Sequence, residues 1–207
     1  WAESGLAATD QCVDSPTNNF ATFNPIARNP SDTGSLSEGN VKYGLSSYTY
    51  NARSTIGVNS GKWYFEVKIT GTAGLQRIGI CTSNINDNLD TDNTDFIYGG
   101  VGRGAIANII NSGGNTTGTT TITDTSYSQT NRAGYVGTAW ATDDILMCAF
   151  DLDNNRIYWG EGGTWYNSSN PADGTNPVSI SNSGGDPWHV FGGYGTSSAR
   201  SCEWNFG

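Results

Sequence analysis

Few residues in this chain could do demanding chemistry, and their spacing argues against most of it. His189 is the one histidine, and it sits in an apolar run, Trp188-His189-Val190-Phe191. No GxSxG nucleophile elbow accompanies it, so Ser-His-Asp catalysis lacks its parts, and a histidine packed in or beside a strand is the simpler reading. Hydrolysis of a glycosidic bond needs two carboxylates facing one cleft. Glu66 and Glu161 each stand alone, with no acidic partner at an alternate position. Residues 57–62 (GVNSGK) are one residue short of a phosphate loop, and Trp63 stands where a hydroxyl would be needed, so they read as a turn before a strand. The four cysteines, Cys12, Cys81, Cys148 and Cys202, show no CxxC or HxH spacing that would hold zinc. Residues 87–95 (DNLDTDNTD) put oxygen donors at alternate positions, as a calcium loop would, yet lack the glycine and distal glutamate of an EF-hand. They read as a solvated, turn-rich loop. The expectation is a chain with no catalytic residues, no metal and no cofactor.

What remains is recognition by aromatic side chains. An exposed aromatic offers an apolar face to a sugar ring, while neighbouring amides and carboxylates exchange hydrogen bonds with hydroxyls. Trp165 and Tyr166 lie in a Gly-, Asn- and Ser-rich segment with Asn167, Asn170 and Asp173 beside them. Tyr98, Arg103 and Tyr127 lie in or next to two long polar stretches, residues 84–95 and 111–130. The candidate contact set is therefore Tyr98, Arg103, Tyr127, Trp165, Tyr166 and Asn167. For Trp165 the competing role is structural, pinning its own loop to the body of the domain.

These residues need a scaffold, and the pattern of the chain is that of strands. No window of a dozen residues keeps helical apolar periodicity. Residues 61–69 (GKWYFEVKI) alternate Trp63, Phe65, Val67 and Ile69 against Lys62, Tyr64, Glu66 and Lys68, the signature of a half-buried strand. Residues 77–82 (RIGICT) and 145–152 (ILMCAFDL) are short apolar runs, and Asp153-Asn154-Asn155 turns the second into Arg156-Ile157-Tyr158-Trp159 as a hairpin. Further strands are expected near residues 41–43, 134–139, 189–194 and 201–206. The two polar stretches are flanked by strand signals, so they read as surface loops within one domain spanning residues 1–207.

Composition narrows the function classes. The 207 residues are only 35% hydrophobic and 14% charged, with Gly, Ser, Thr and Asn filling nearly half of the chain. Yet 12% are aromatic, far more than disordered chains carry, and aromatics bury large areas each. A net charge of −9 opposes a phosphate backbone, so nucleic-acid binding is excluded. The longest apolar runs fall far short of a membrane-spanning helix, and no basic cluster would draw the chain to anionic lipid. The chain begins Trp1-Ala2-Glu3, and is read as a processed product or part of a longer chain. The sequons at Asn115 and Asn167 are what chance gives in so Asn- and Thr-rich a sequence.

Three segments, in order, resemble the SPRY domain. They are the Trp-rich strand of residues 61–69 with RIGIC at 77–81, the hairpin 143–159 (DDILMCAFDLDNNRIYW), and the closing strand 200–207 (RSCEWNFG). The departure is at Asp143-Asp144-Ile145-Leu146, where the family's glycine is missing. Residues 14–25 and 163–177 are further similar to segments of SPRY-like proteins of bacteriophages. The resemblance implies an all-β fold, a bent antiparallel β-sandwich of SPRY or concanavalin-like jelly-roll type, with terminal strands close together and a role in binding. It also places Cys12 near Cys202, where a disulfide would form, leaving Cys81 and Cys148 buried in core strands.

The function expected is that of a non-enzymatic phage virion component, on a tail fibre or capsid surface. Its partner would be a host surface glycan or receptor, or neighbouring virion subunits, with the chain a homo-oligomer or part of an assembly. The location would be the virion or the extracellular space. The alternative is a structural subunit of an extracellular filament or surface layer; a carbohydrate-active enzyme stands third.

Overall fold

The computed structural model describes residues 20–28, 34–45, 51–71, 76–81, 97–102, 107–111, 141–180, 185–194 and 200–206. In chain order the strands are β1 (Phe23–Arg28), β2 (Ser35–Ser37), β3 (Lys42–Leu45), β4 (Asn51–Val58), β5 (Lys62–Ile69), β6 (Gln76–Cys81) and β7 (Ile97–Gly102). They continue with β8 (Ala107–Asn111), β9 (Ile145–Asp151), β10 (Arg156–Glu161), β11 (Thr164–Trp165), β12 (Val178–Ser179), β13 (Trp188–Tyr194) and β14 (Arg200–Asn205). Among the described residues the one helical element is a 3-10 turn, Tyr166–Ser168. The expected all-β antiparallel sandwich is what forms. The smaller sheet runs β1-β4-β13-β6-β7-β8; the larger runs β11-β10-β9-β5-β14-β3-β2, with β12 paired to β10.

Register assigns every side chain of the larger sheet to a face. Phe65 lies opposite Cys148, Val67 opposite Leu146 and Trp204, and Ile69 opposite Cys202. All of these are buried and meet Phe23, Ala52, Ile78, Ile80 and Trp188 of the smaller sheet in one apolar core. The polar series Lys62, Tyr64, Glu66 and Lys68 therefore faces outward, as the alternation predicts. The hairpin forms too: β9 and β10 pair from Arg156–Asp151 to Glu161–Leu146, and Asn155 takes φ 54° in the turn. Asp151 fixes that turn by accepting hydrogen bonds from both the backbone and side-chain nitrogens of Asn154, at 3.1 and 2.8 Å.

One member of the alternating series departs from expectation. Trp63 has the inward register of Phe65, yet it is 45% exposed. It stands at a small apolar opening lined also by Phe20, Trp188 and Phe206. Its indole Nε1 donates to the Ser60 carbonyl at 2.8 Å.

The first described strand and the last lie in opposite sheets and meet through their side chains. The Phe23 ring packs edge-on to Trp204 at 4.7 Å and to Phe206 at 5.5 Å. Cys81, Cys148 and Cys202 are all buried, and burial pushes the Cys148 thiol well up from its ordinary value. Cys12, Arg103, Tyr127, the acidic run 87–95 and the strand expected at 134–139 lie outside the described residues.

Candidate functional site

The outer face of the larger sheet carries the site. Met147 and Ala149 face outward by register, opposite Glu66 and Tyr64, yet both are buried. β11 returns beside β10 as the edge strand of this sheet, close to Met147. Gly160 permits that approach: a Cβ there would fall 2.5 Å from the Thr164 carbonyl oxygen and 2.7 Å from Met147 Cε. Trp165 pairs with Gly160 and so shares the outward face. Its ring meets that of Tyr64 edge-on, with centroids 6.2 Å apart. Trp165 is half-buried, whereas Tyr64 is 43% exposed. The phenol Oη of Tyr64 donates to Glu66 Oε1 at 2.6 Å, and burial together with this bond pushes its pKa up. The result is an aromatic pair with a carboxylate at one end.

Three expected contact residues are placed differently from the sequence reading. Trp165 belongs to a two-residue strand instead of a loop. Tyr166, its neighbour, opens the 3-10 turn and packs inward against the core. Its Oη donates to Glu161 Oε2 at 2.6 Å. Asn167 lies in the 3-10 turn that follows. Tyr98 lies within β7, paired with Ile80 and Asn111, and not in a loop. The structure thus brings Trp165 together with Tyr64 and Glu66, which the sequence did not single out for the site.

The rest of the outer face divides in two. Beyond Tyr158 the chain turns over the sheet at residues 170–175, closed by a bridge between Asn170 and Thr175. Gly174, at φ 82°, sits against the Arg156 guanidinium where no Cβ would fit. On the other side the face stays open across β5, β14 and β3. Here Lys42 Nζ lies 2.9 Å from Glu203 and Lys68 Nζ 3.0 Å from Asp143.

The model of the SPRY domain family matches residues 62–170, more than half of the chain. This chain belongs to the SPRY domain family. Its SPRY match begins at β5 and ends at Asn170, so β13 and β14 complete the two sheets from outside it. The chain is 27% identical over 114 residues to the ATP-dependent RNA helicase DDX1 of Xenopus laevis, covering 55% of this chain but 12% of the helicase. Among solved structures it is similar to the SPRY domain of human HERC1, at TM-score 0.57 and 13% identity, over 88% of this chain and 96% of that one. That likeness shows the fold.

His189 has a structural place in this SPRY domain. Its Nδ1 lies 2.9 Å from the Ser54 carbonyl oxygen and therefore carries the proton it donates there. Burial lowers its pKa, favouring the neutral ring. The Nε2 edge is packed against Gly57, whose Cβ would fall 2.5 Å from it.

Glu161 makes a testable contribution to the pH dependence of stability. Burial raises its pKa, the Tyr166 hydroxyl opposes that, and the Asp144 carboxyl beside it reinforces it. A folded-state pKa above the unfolded value gives stability that is complete below the unfolded value, near 4.3 for a glutamate, and is lost as pH rises through the folded one. Glu161→Gln removes this loss and keeps an acceptor for Tyr166. Its melting temperature is expected to match the native protein's in acid and to exceed it by about 1–3 °C at neutral pH, the effect of under 1 kcal/mol in a domain of this size. Parallel melting profiles would show that the carboxyl is not strained. Asp151 works in the opposite direction. Burial raises its pKa, but the Asn154 bonds and Lys62 at 3.7 Å outweigh that and lower it, so its stability is lost as pH falls.

Proposed function

We propose that this SPRY domain is a non-enzymatic binding module of a phage virion, contacting a host surface glycan through the outer face of its larger sheet. The observation that carries the reading is the Tyr64–Trp165 pair. Two aromatic rings stand edge to face on a rigid strand platform, with the Glu66 carboxylate 2.6 Å from the Tyr64 hydroxyl. Such a pair gives a sugar ring an apolar surface and a hydrogen-bond acceptor at its edge, with little side-chain entropy left to lose. The placement on a virion draws on the likeness of residues 14–25 and 163–177 to phage proteins. RNA helicase activity is a property of the relative, of which this chain covers only 12%. The second reading, contact with a neighbouring subunit, is favoured by a different feature: Ile26, 90% exposed, on the edge strand β1.

The test is a paired measurement on Trp165→Ala and Tyr64→Ala. Each is expected to weaken binding on a glycan array about tenfold, the loss of roughly 1.4 kcal/mol of stacking. Melting should fall by about 2–5 °C, as for a half-buried ring. Unchanged glycan binding with impaired assembly would move the function to the subunit contact. A loss of about 3–5 kcal/mol on replacing Trp165 would return that residue to the core.

A further inference from the structure

We propose that this chain forms a two-fold dimer in which Ile26 of each copy seats in the apolar opening beside Trp63 of the other. This rests on the subunit-contact reading above and is independent of the glycan one. It starts from an exposure that the fold does not explain. Ile26 is 90% exposed on β1, a strand at the edge of the smaller sheet. That edge is otherwise guarded against strand addition. Pro25 has no amide hydrogen, and the Ile26 amide donates to Asn24 Oδ1 at 3.1 Å. The register slips between Phe23 and Arg28, so Ile26 lies on a bulge and off the regular ladder. What Ile26 offers a partner is its side chain.

The opening is the matching receptor. Its volume is about 90 Å³, below the roughly 150 Å³ that admits a benzene, and so suits one branched aliphatic side chain. Phe20 and Trp63, each 45% exposed, stand beside it, and Val58, Val190 and Phe206 join it to the core. Polar side chains around it are already engaged. Trp63 Nε1 donates to the Ser60 carbonyl, while Ser54 Oγ donates to the Ile56 carbonyl at 2.8 Å and accepts from the Val190 amide at 3.1 Å. A polar ligand would lose its hydrogen bonds to water and find these groups taken, whereas an aliphatic group loses none.

Area decides between a closed pair and an open chain. An aromatic side chain can bury about 150–250 Å², so two rings nearly half exposed leave roughly 150–200 Å² uncovered. An isoleucine adds about 100 Å². One insertion therefore buries about 300 Å², far short of the roughly 1,000 Å² that a specific interface needs. Reciprocal insertion doubles it, and the stretch between knob and opening, where Pro25 is exposed, supplies the remainder. Phe20 and Ile26 are six residues apart, at most about 20 Å along the chain, so one two-fold axis can serve both contacts. Each copy carries a net charge of −9, so the contact is driven by apolar burial against charge repulsion.

Sedimentation equilibrium on the whole chain tests this. The native chain is expected to dimerise, and to do so more tightly as salt is raised, because screening removes the repulsion and leaves the apolar contact. Ile26→Ser should weaken the dimer at least a hundredfold, since each pair loses two buried isoleucines, while the melting temperature of the monomer stays unchanged. Phe20→Asp, beside the opening, should also dissociate it. The decisive arm is an equimolar mixture of the two variants. One intact knob then meets one intact opening, so the mixture should associate more tightly than either variant alone. A monomeric native chain overturns both the inference and the subunit-contact reading. A dimer that survives Ile26→Ser keeps a subunit contact but removes it from this knob, which overturns the inference. A mixture no tighter than its components means that Ile26 meets something other than the opening, and overturns it as well. Assemblies that keep growing with concentration show head-to-tail insertion and overturn the two-fold pair.

Discussion

Trp204→Ala is expected to cost about 3–5 kcal/mol of folding stability, the upper range for core truncations. Against a total of about 5–15 kcal/mol, that is about a fifth of the fold or more. The reason is where the indole sits. Trp204 is 4% exposed, lies opposite Val67 across the β14–β5 pair, and packs edge-on to Phe23 of the other sheet at 4.7 Å. Removing it opens a void between the two layers at the point where the first described strand meets the last. Rigid sheets close over such a void only in part, so a cavity penalty adds to the lost transfer energy. Trp63→Ala is the control. The same residue type with inward register, but 45% exposed at the apolar opening, is expected to cost about 1 kcal/mol or less. Urea midpoints on the two variants check the contrast, and similar losses would mean that the two tryptophans are equally buried.

The contrast between these tryptophans shows what the chain makes legible. Alternation along residues 61–69 correctly assigned faces, because period two follows from the geometry of a strand. It could not tell how far the opposite sheet extends, so Trp63 looked as buried as Phe65. The β9–β10 hairpin was readable because its turn chemistry is local, with Asn155 taking the positive φ. The site was harder. Trp165 and Tyr166 read as partners in one loop, whereas Trp165 ends a two-residue strand and Tyr166 opens the 3-10 turn, so one ring lies on the outer face and the other packs on the core. Tyr64 carried a usable signal, an aromatic in the solvent-facing series beside Glu66 and Lys68. The ion pairs of the open face carried none, since Lys42 meets Glu203 only through the pairing of β3 with β14, strands far apart in the sequence.

Gly192→Ala is the second large effect, and it isolates a single contact between the layers. Gly192 is buried in β13, paired with Ile78 on one side and Ala52 on the other, and its φ is ordinary for a strand. The need for glycine here is therefore steric. A Cβ would press into Cζ2 of Trp204, fall 2.8 Å from its Cη2, and lie 3.1 Å from Cζ of Phe23. An indole clamped between two sheets cannot withdraw as a flexible surface chain would, so one added methyl is expected to cost about 3 kcal/mol, the top of the usual range for overpacking. The proof lies in a second change at the atoms that collide. Trp204→Phe shortens the aromatic ring and clears the space, at its own cavity cost. The double variant Gly192→Ala/Trp204→Phe should then be more stable than the sum of the two single losses by about 1–2 kcal/mol, a coupling of the size seen for residues in contact. Simple additivity in denaturant titrations would mean that the methyl is accommodated elsewhere, and that Gly192 does not set the distance between the sheets.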